Sequence, residues 1–140
     1  MDAAVNQEAE GKKFSFLPVS EIKTEELIVF EFDSPEQLIE IETPEFSAVC
    51  PFSGLPDIAV LKISYHPTEK VALELKALKY YMTSFRNVGI YQEAVTARIY
   101  KDLKAILKTE SLLVETKYNI RGGFSTTCKE GQLFQQGWQK

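Results

Sequence analysis

The sequence predicts an α+β domain, an antiparallel sheet with two helices on one face in the order ββααββ. Three observations carry this expectation. Apolar alternation over residues 38–49 and 58–65 flanks a turn rich in proline and glycine. Apolar residues then recur every three or four positions over 75–85 and 91–106, the spacing of amphipathic helices. From Leu112 onward the period returns to two. Two hairpins around a helix pair bury their apolar faces when both helices cover one side of a shared sheet.

Taken in order, residues 1–20 are polar with no sustained period and are expected to form a flexible arm, leaving 21–140 as a single domain. The apolar run 27–32 reads as a short strand. The run 38–42 continues into 46–49, and Pro44 between them predicts an edge position or a bulge, because proline cannot donate to a ladder. Residues 58–65 read as a half-buried strand, with Ala59, Leu61, Ile63 and Tyr65 on one face and Lys62 and Ser64 on the other. The turn 51–56 joins these strands into an antiparallel hairpin with Cys50 and Asp57 across its mouth. Leu75, Leu78, Met82 and Phe85 form the apolar stripe of the first helix, and residues 87–89 end it. The second helix has Tyr91, Val95, Ile99, Leu103 and Ile106 on its stripe, Arg98, Lys101, Asp102 and Lys104 outward, and Lys104 and Lys108 suited to its C-terminal end. Residues 112–118 and 122–128 make the last hairpin about a turn at 119–123. The tail 129–140 is polar except for Phe134 and Trp138, and is expected to dock on a neighbour.

Composition narrows the function classes. With 140 residues, 44% of them hydrophobic, the chain fits one soluble globular domain. A net charge of −4 argues against a sequence-independent grip on nucleic acid, which requires a dense basic face, and favours a small substrate. No apolar stretch approaches the roughly 20 residues of a membrane span, and residues 1–13 lack the apolar core of a signal peptide. A cytoplasmic setting is therefore expected. Two cysteines, Cys50 and Cys128, are too few for a disulfide framework. One histidine, His66, and no paired Cys or His spacing leave no zinc ligand set. His66, just before Pro67, reads as a partly exposed turn residue.

Three places could carry chemistry. Cys50 ends an apolar run at a turn, and is either a small buried hydrophobe or a nucleophile whose thiolate is favoured by nearby helix termini or lysines. Asp57 at the turn exit either bonds the local backbone or acts as an acid kept protonated by burial beside Leu55 and Ile58. The string Glu74-Leu75-Lys76-Ala77-Leu78-Lys79-Tyr80-Tyr81 is either an ordinary helix start or a phosphate site built from a helix N-terminus and two lysines. Cys128 reads as an inert strand thiol.

Taken together, Cys50-Pro51, Gly54, Pro56, Asp57, the string over 74–81, Ser84-Phe85-Arg86-Asn87, Glu93 and Arg121-Gly122-Gly123 resemble the 7-cyano-7-deazaguanine reductases, the NADPH-dependent nitrile reductases of queuosine biosynthesis, in their short single-domain form. The likeness spans about 45–127, and the Glu-Leu-Lys-Ala-Leu-Lys string is its most distinctive part. The resemblance implies a tunnelling fold and a ring-based homo-oligomer with active sites at subunit interfaces. It implies that Cys50 attacks the nitrile carbon of the deazapurine to give a thioimidate, and that Asp57 delivers protons to the nitrogen. Glu93 would accept hydrogen bonds from the guanine-like N–H edge, with Leu73, Glu74, Leu75 and Gln92 lining the substrate pocket. Lys76, Lys79, Arg121 and Gly122 would meet NADPH, two molecules of which are consumed per nitrile. Nicotinamide binding rests on the resemblance, since no Rossmann fingerprint is present. The implied partners are the deazapurine and NADPH, with no direct nucleic-acid or membrane partner and no metal.

One departure stands out: many members carry a histidine just before the recognition glutamate, where this chain has Gln92, which hydrogen-bonds but cannot carry a proton. Competing readings are the archaeal relatives that add ammonia to the same nitrile on transfer RNA, zinc cyclohydrolases of the same fold, disfavoured for want of ligands, and a non-catalytic oligomer that binds a purine or pterin.

Overall fold

The computed structural model describes residues 15–135. Six strands and two helices follow one another as β1 (Val29–Glu31), β2 (Ile39–Val49), β3 (Pro56–Tyr65), β4 (Val71–Leu73), α1 (Leu75–Thr83), α2 (Gln92–Leu107), β5 (Leu112–Tyr118) and β6 (Thr127–Gln132), after two 3-10 turns at Val19–Glu21 and Thr24–Glu26. The four longer strands form an antiparallel sheet in the order β2-β3-β5-β6. With the two helices, these strands are the expected ββααββ unit. The short β1 and β4 pair with each other as a separate ribbon. No described helix is long and apolar enough to cross a membrane.

The two sheet faces differ as strand alternation requires. Phe46, Ala48, Ala59, Leu61, Ile63, Tyr65, Leu112, Val114 and Tyr118 are buried, and they share the core with Val95, Ile99, Leu103 and Leu107 of α2. From α1 and the turn after it come Leu78, Tyr81 and Phe85, with the Phe85 ring centroid 5.3 Å from those of both Phe46 and Tyr81. The opposite sheet face carries the in-register row Glu42, Lys62, Glu115 and Lys129, one residue per strand with alternating sign.

Pro44 lies where the β2–β3 register shifts, between Thr43 and Phe46, on a sheet edge. This is the irregularity its missing N–H demands.

Several sequence expectations need correction. Leu75 is 58% exposed, the first residue of α1 and part of a pocket wall, and the buried side of the helix is made by Ala77, Leu78 and Tyr81. Tyr91 is likewise exposed, as the N-cap of α2. Asp102 points inward and is 8% exposed: it accepts from the Tyr81 hydroxyl at 2.8 Å, the Arg98 Nε at 2.9 Å and the Thr24 hydroxyl at 3.1 Å. Arg98 also donates to Thr24. This carboxylate thus joins both helices to the 3-10 turn that precedes the sheet. His66 is buried, with Nδ1 2.7 Å from the Ser111 hydroxyl. The last strand starts at Thr127 rather than Gly122, because residues 119–126 are taken up by a wider turn held by the Arg121–Phe124 bridge. Lys129 to Gln132 of the presumed tail are therefore strand, and residues 136–140 lie outside the described residues. So do the first fourteen residues of the N-terminal arm. At its described end, Leu17 pairs with the segment after α1: it donates to the Asn87 carbonyl at 2.7 Å and accepts from the Gly89 N–H at 2.9 Å. Phe16 lies so close over Gly89 that a Cβ there would come within 2.1 Å of its ring.

Asp102→Ala should cost about 2 kcal/mol, because it leaves the buried Tyr81 hydroxyl without an acceptor. The urea midpoint should fall with an unchanged slope. An unchanged midpoint would show that the inward carboxylate does not hold the helices together.

Candidate active site

The hairpin β2–β3 turns through residues 50–55, and that turn shapes the thiol. The Cys50 N–H donates to the Leu55 carbonyl at 2.9 Å, while the Cys50 carbonyl accepts from the Gly54 N–H at 2.7 Å. Gly54 has φ +73°, a left-handed conformation that glycine adopts at little cost. The loop folds over the half-buried sulfur. Burial raises the thiol pKa, but the Ser53 N–H, the Ser53 hydroxyl and the Phe52 N–H donate toward sulfur and outweigh burial, so the group titrates below its ordinary range despite a small opposing push from Asp57.

Asp57 pairs with Ala48 across the hairpin and is 4% exposed. Its countercharge is Arg121, whose Nη1 lies 2.5 Å from Oδ1 and also reaches the Pro56 carbonyl at 3.4 Å. The expectation for Arg121 is a contact with NADPH; in the structure its guanidinium is paired with the Asp57 carboxyl. Gly122, beside it, has φ +58° and open space where a Cβ would stand, so the backbone is bare to an approaching ligand.

Two backbone bonds bring the second helix to the thiol. The Val49 N–H donates to the Val88 carbonyl at 2.9 Å, and the Ile90 N–H donates to the Val49 carbonyl at 3.0 Å. Only Tyr91 then separates this stitch from Gln92 and Glu93 in the first turn of α2. Glu93 is exposed there, at a helix end whose dipole favours a carboxylate. Cys50, Asp57, Gln92, Glu93 and Gly122 are thus assembled at one end of the sheet.

The other expected site residues are at the opposite end. Leu73, Glu74 and Leu75 line a pocket of about 550 Å³ with Phe30, Ile39 and Tyr65, and the Leu73 N–H donates to the Tyr65 hydroxyl at 2.9 Å. Asp57 and Tyr65 stand eight residues apart on β3, roughly 26 Å at the rise of an extended strand. Glu74 caps α1, accepting from the Lys76 and Ala77 N–H groups at 3.0 and 2.7 Å, so its own carboxylate occupies the helix N-terminus. Lys76 and Lys79 remain exposed cations on that helix, with Lys76 Nζ 5.9 Å from the centre of the Tyr80 ring. An anionic ligand fits these lysines, and a flat apolar ring fits the pocket beside them. Cys128 lies in β6, opposite Thr116. Among the described residues no three His, Cys, Asp or Glu side chains gather as metal ligands.

Sequence reading missed Ser53 and Phe52 as the groups that acidify the thiol, and Phe30 as a wall of the pocket. The only available signal for Phe30 was its alternation with Phe32 in an exposed short strand.

Comparison with known proteins gives a consistent picture. The family model described as QueF-like protein matches residues 56–133. A Thermotoga petrophila protein named NADPH-dependent 7-cyano-7-deazaguanine reductase is 55% identical over 125 residues, 89% of this chain and 91% of that protein. A Chlorobium luteolum protein of the same name is 46% identical over 108 residues, covering 76% and 92%. The crystal structure of an archaeosine synthase, QueF-Like, in its apo form superposes with a TM-score of 0.64 at 22% identity, covering 71% of this chain and 96% of that one. It supports the tunnelling fold.

Alkylation of Cys50 by iodoacetamide should show a pH midpoint below that of free cysteine, and Ser53→Ala should move it upward. A midpoint unmoved by that change would remove the hydroxyl from the account of the thiol.

Proposed function

The chain belongs to the QueF-like family, and from that membership we propose that it is the NADPH-dependent reductase that converts the nitrile of 7-cyano-7-deazaguanine to the primary amine in queuosine biosynthesis. The observation that carries the chemistry is the acidified Cys50 thiol at the mouth of a hairpin that also holds buried Asp57. The Cys50 thiol gives its proton to the Arg121-paired Asp57 carboxylate as sulfur attacks the nitrile carbon, forming a C–S bond while one C≡N electron pair moves to nitrogen, which takes that proton from Asp57. The product is a thioimidate on the enzyme. NADPH supplies hydride to that carbon twice, each time with one proton taken up at nitrogen, and between the two transfers the C–S bond breaks as nitrogen returns one proton to sulfur and the thiol is regenerated. Arg121 keeps the Asp57 carboxyl aimed into the hairpin mouth through the exchange. Glu93 receives the N–H edge of the base, with Gln92 as a proton-neutral neighbour.

The remaining residues of the site come from a second copy of the chain. The pocket of Leu73, Glu74 and Leu75, with Lys76 and Lys79 beside it for the cofactor phosphates, is about 26 Å from Asp57 along one strand, too far for both to touch one base. A ring of copies, each presenting its pocket to the next one's hairpin, completes the site. The two free cysteines accord with a cytoplasmic setting.

Incubation with the nitrile base should add its mass to the protein, and Cys50→Ala should abolish the adduct. Asp57→Asn should still form some adduct yet lose NADPH oxidation by roughly 10²-fold or more. Wild-type turnover in that variant sinks the acid role. Mixing subunits that carry Cys50→Ala with subunits that carry Leu75→Asp should restore activity that neither has alone, and failure to do so rejects the shared site.

A further inference from the structure

Tyr118 ends β5 on the helix-facing side of the sheet, opposite Ala59, and is 3% exposed. Its hydroxyl is buried and has no hydrogen-bond partner, the one such side-chain atom among the described residues. A buried unpartnered hydroxyl costs stability, so its retention calls for a reason. Thr116, two residues back, is close, but its hydroxyl is engaged with that of Thr96 at 2.7 Å.

The surroundings identify the missing partner. Asp57 lies on the same face of β3, two residues before Ala59, but Arg121 already holds it. Thr96 faces Thr116 from α2, and Glu93 precedes Thr96 by three residues, hence on the same side of the helix. Because α2 and β5 are joined by a tight connection and run in opposite directions, stepping from Thr116 to Tyr118 on the strand moves toward Glu93 on the helix. Tyr118 thus lies beneath the first turn of α2. Glu93 is exposed there and makes no ion pair with a described residue.

We propose that Tyr118 is a positioning residue for base recognition: when the base binds, the Glu93 carboxylate turns inward, accepts the Tyr118 hydroxyl proton in a hydrogen bond, and is held with its remaining lone pairs toward the N–H edge of the base. This rests on the reading of Glu93 as the recognition carboxylate. Burial pushes the phenol well above its ordinary range against an opposing pull from Thr116, and the charges at Asp57, Cys128 and Glu93 add smaller upward pushes. The hydroxyl is accordingly a donor at every working pH, the role a carboxylate acceptor needs.

The test uses full-length protein carrying Cys50→Ala, so that binding of the nitrile base is reversible and calorimetry reads its Kd. Tyr118→Phe removes only the oxygen. It should leave Tm unchanged or raised, weaken the base about tenfold, and have no such effect once Glu93→Gln is also present. In the enzyme with Cys50 intact, Tyr118→Phe should raise KM for the base and leave KM for NADPH unmoved. An unchanged Kd, the outcome if water alone satisfies the hydroxyl, overturns the proposal, as does a tenfold loss that persists in the Glu93→Gln background. If Glu93→Gln itself leaves base affinity untouched, the recognition reading has failed and this inference falls with it. A normal Glu93 effect beside an inert Tyr118 sinks the inference alone.

Discussion

The extension of β3 governs the rest of the molecule. A strand of ten residues has no freedom to shorten, and this one is hydrogen-bonded along both edges, to β2 and to β5. It therefore holds Asp57 at one end of the sheet and Tyr65 at the other as a rigid spacer. Cys50, Asp57 and Glu93 gather at the first end, while Leu73, Glu74 and Leu75 line a pocket with Tyr65 at the second. The shared site proposed above follows from that separation.

At the thiol end the local backbone does most of the chemical work. Strands β2 and β3 leave six residues to make their connection, and the tight loop aims N–H groups from Phe52 and Ser53 at the sulfur. The same loop faces a stitch of backbone bonds to Val88 and Ile90 that delivers the N-terminus of α2. The lowered thiol pKa at Cys50 thus comes from hydrogen bonds with Ser53 and Phe52.

Charge is organised differently on each layer. Across the outer sheet face, Glu42, Lys62, Glu115 and Lys129 alternate in sign, an arrangement that favours the observed register at little desolvation cost because the row is solvated. Inside, Asp102 and Asp57 are each buried with an arginine beside them, one bracing helices and one standing at the candidate active site. The two look alike in sequence. Asp102 could be mistaken for a solvated helix residue because helical periodicity predicts a face but not what lies opposite it.

Much was legible before any coordinates. The change from a period of two to 3.6 and back located three strands of the sheet and two helices and called for a fourth strand that lies further on, at Thr127–Gln132, and Pro44 marked the bulge, because these follow from side-chain direction along each element. Cys50, Asp57 and Glu93 were legible as residue types in a familiar pattern. Tertiary structure decided what each residue faces. Leu75 sits on a pocket wall rather than in the core because α1 begins at that residue, and Arg121 spends its charge on Asp57 because the wide turn 119–126 folds back over the hairpin. Tyr118 carried no sequence signal at all. Its hydroxyl becomes notable only when the packing of β5 under α2 leaves it dry and unpartnered. Local periodicity is a property of the chain alone, whereas partnership and burial depend on which distant segments the fold brings together.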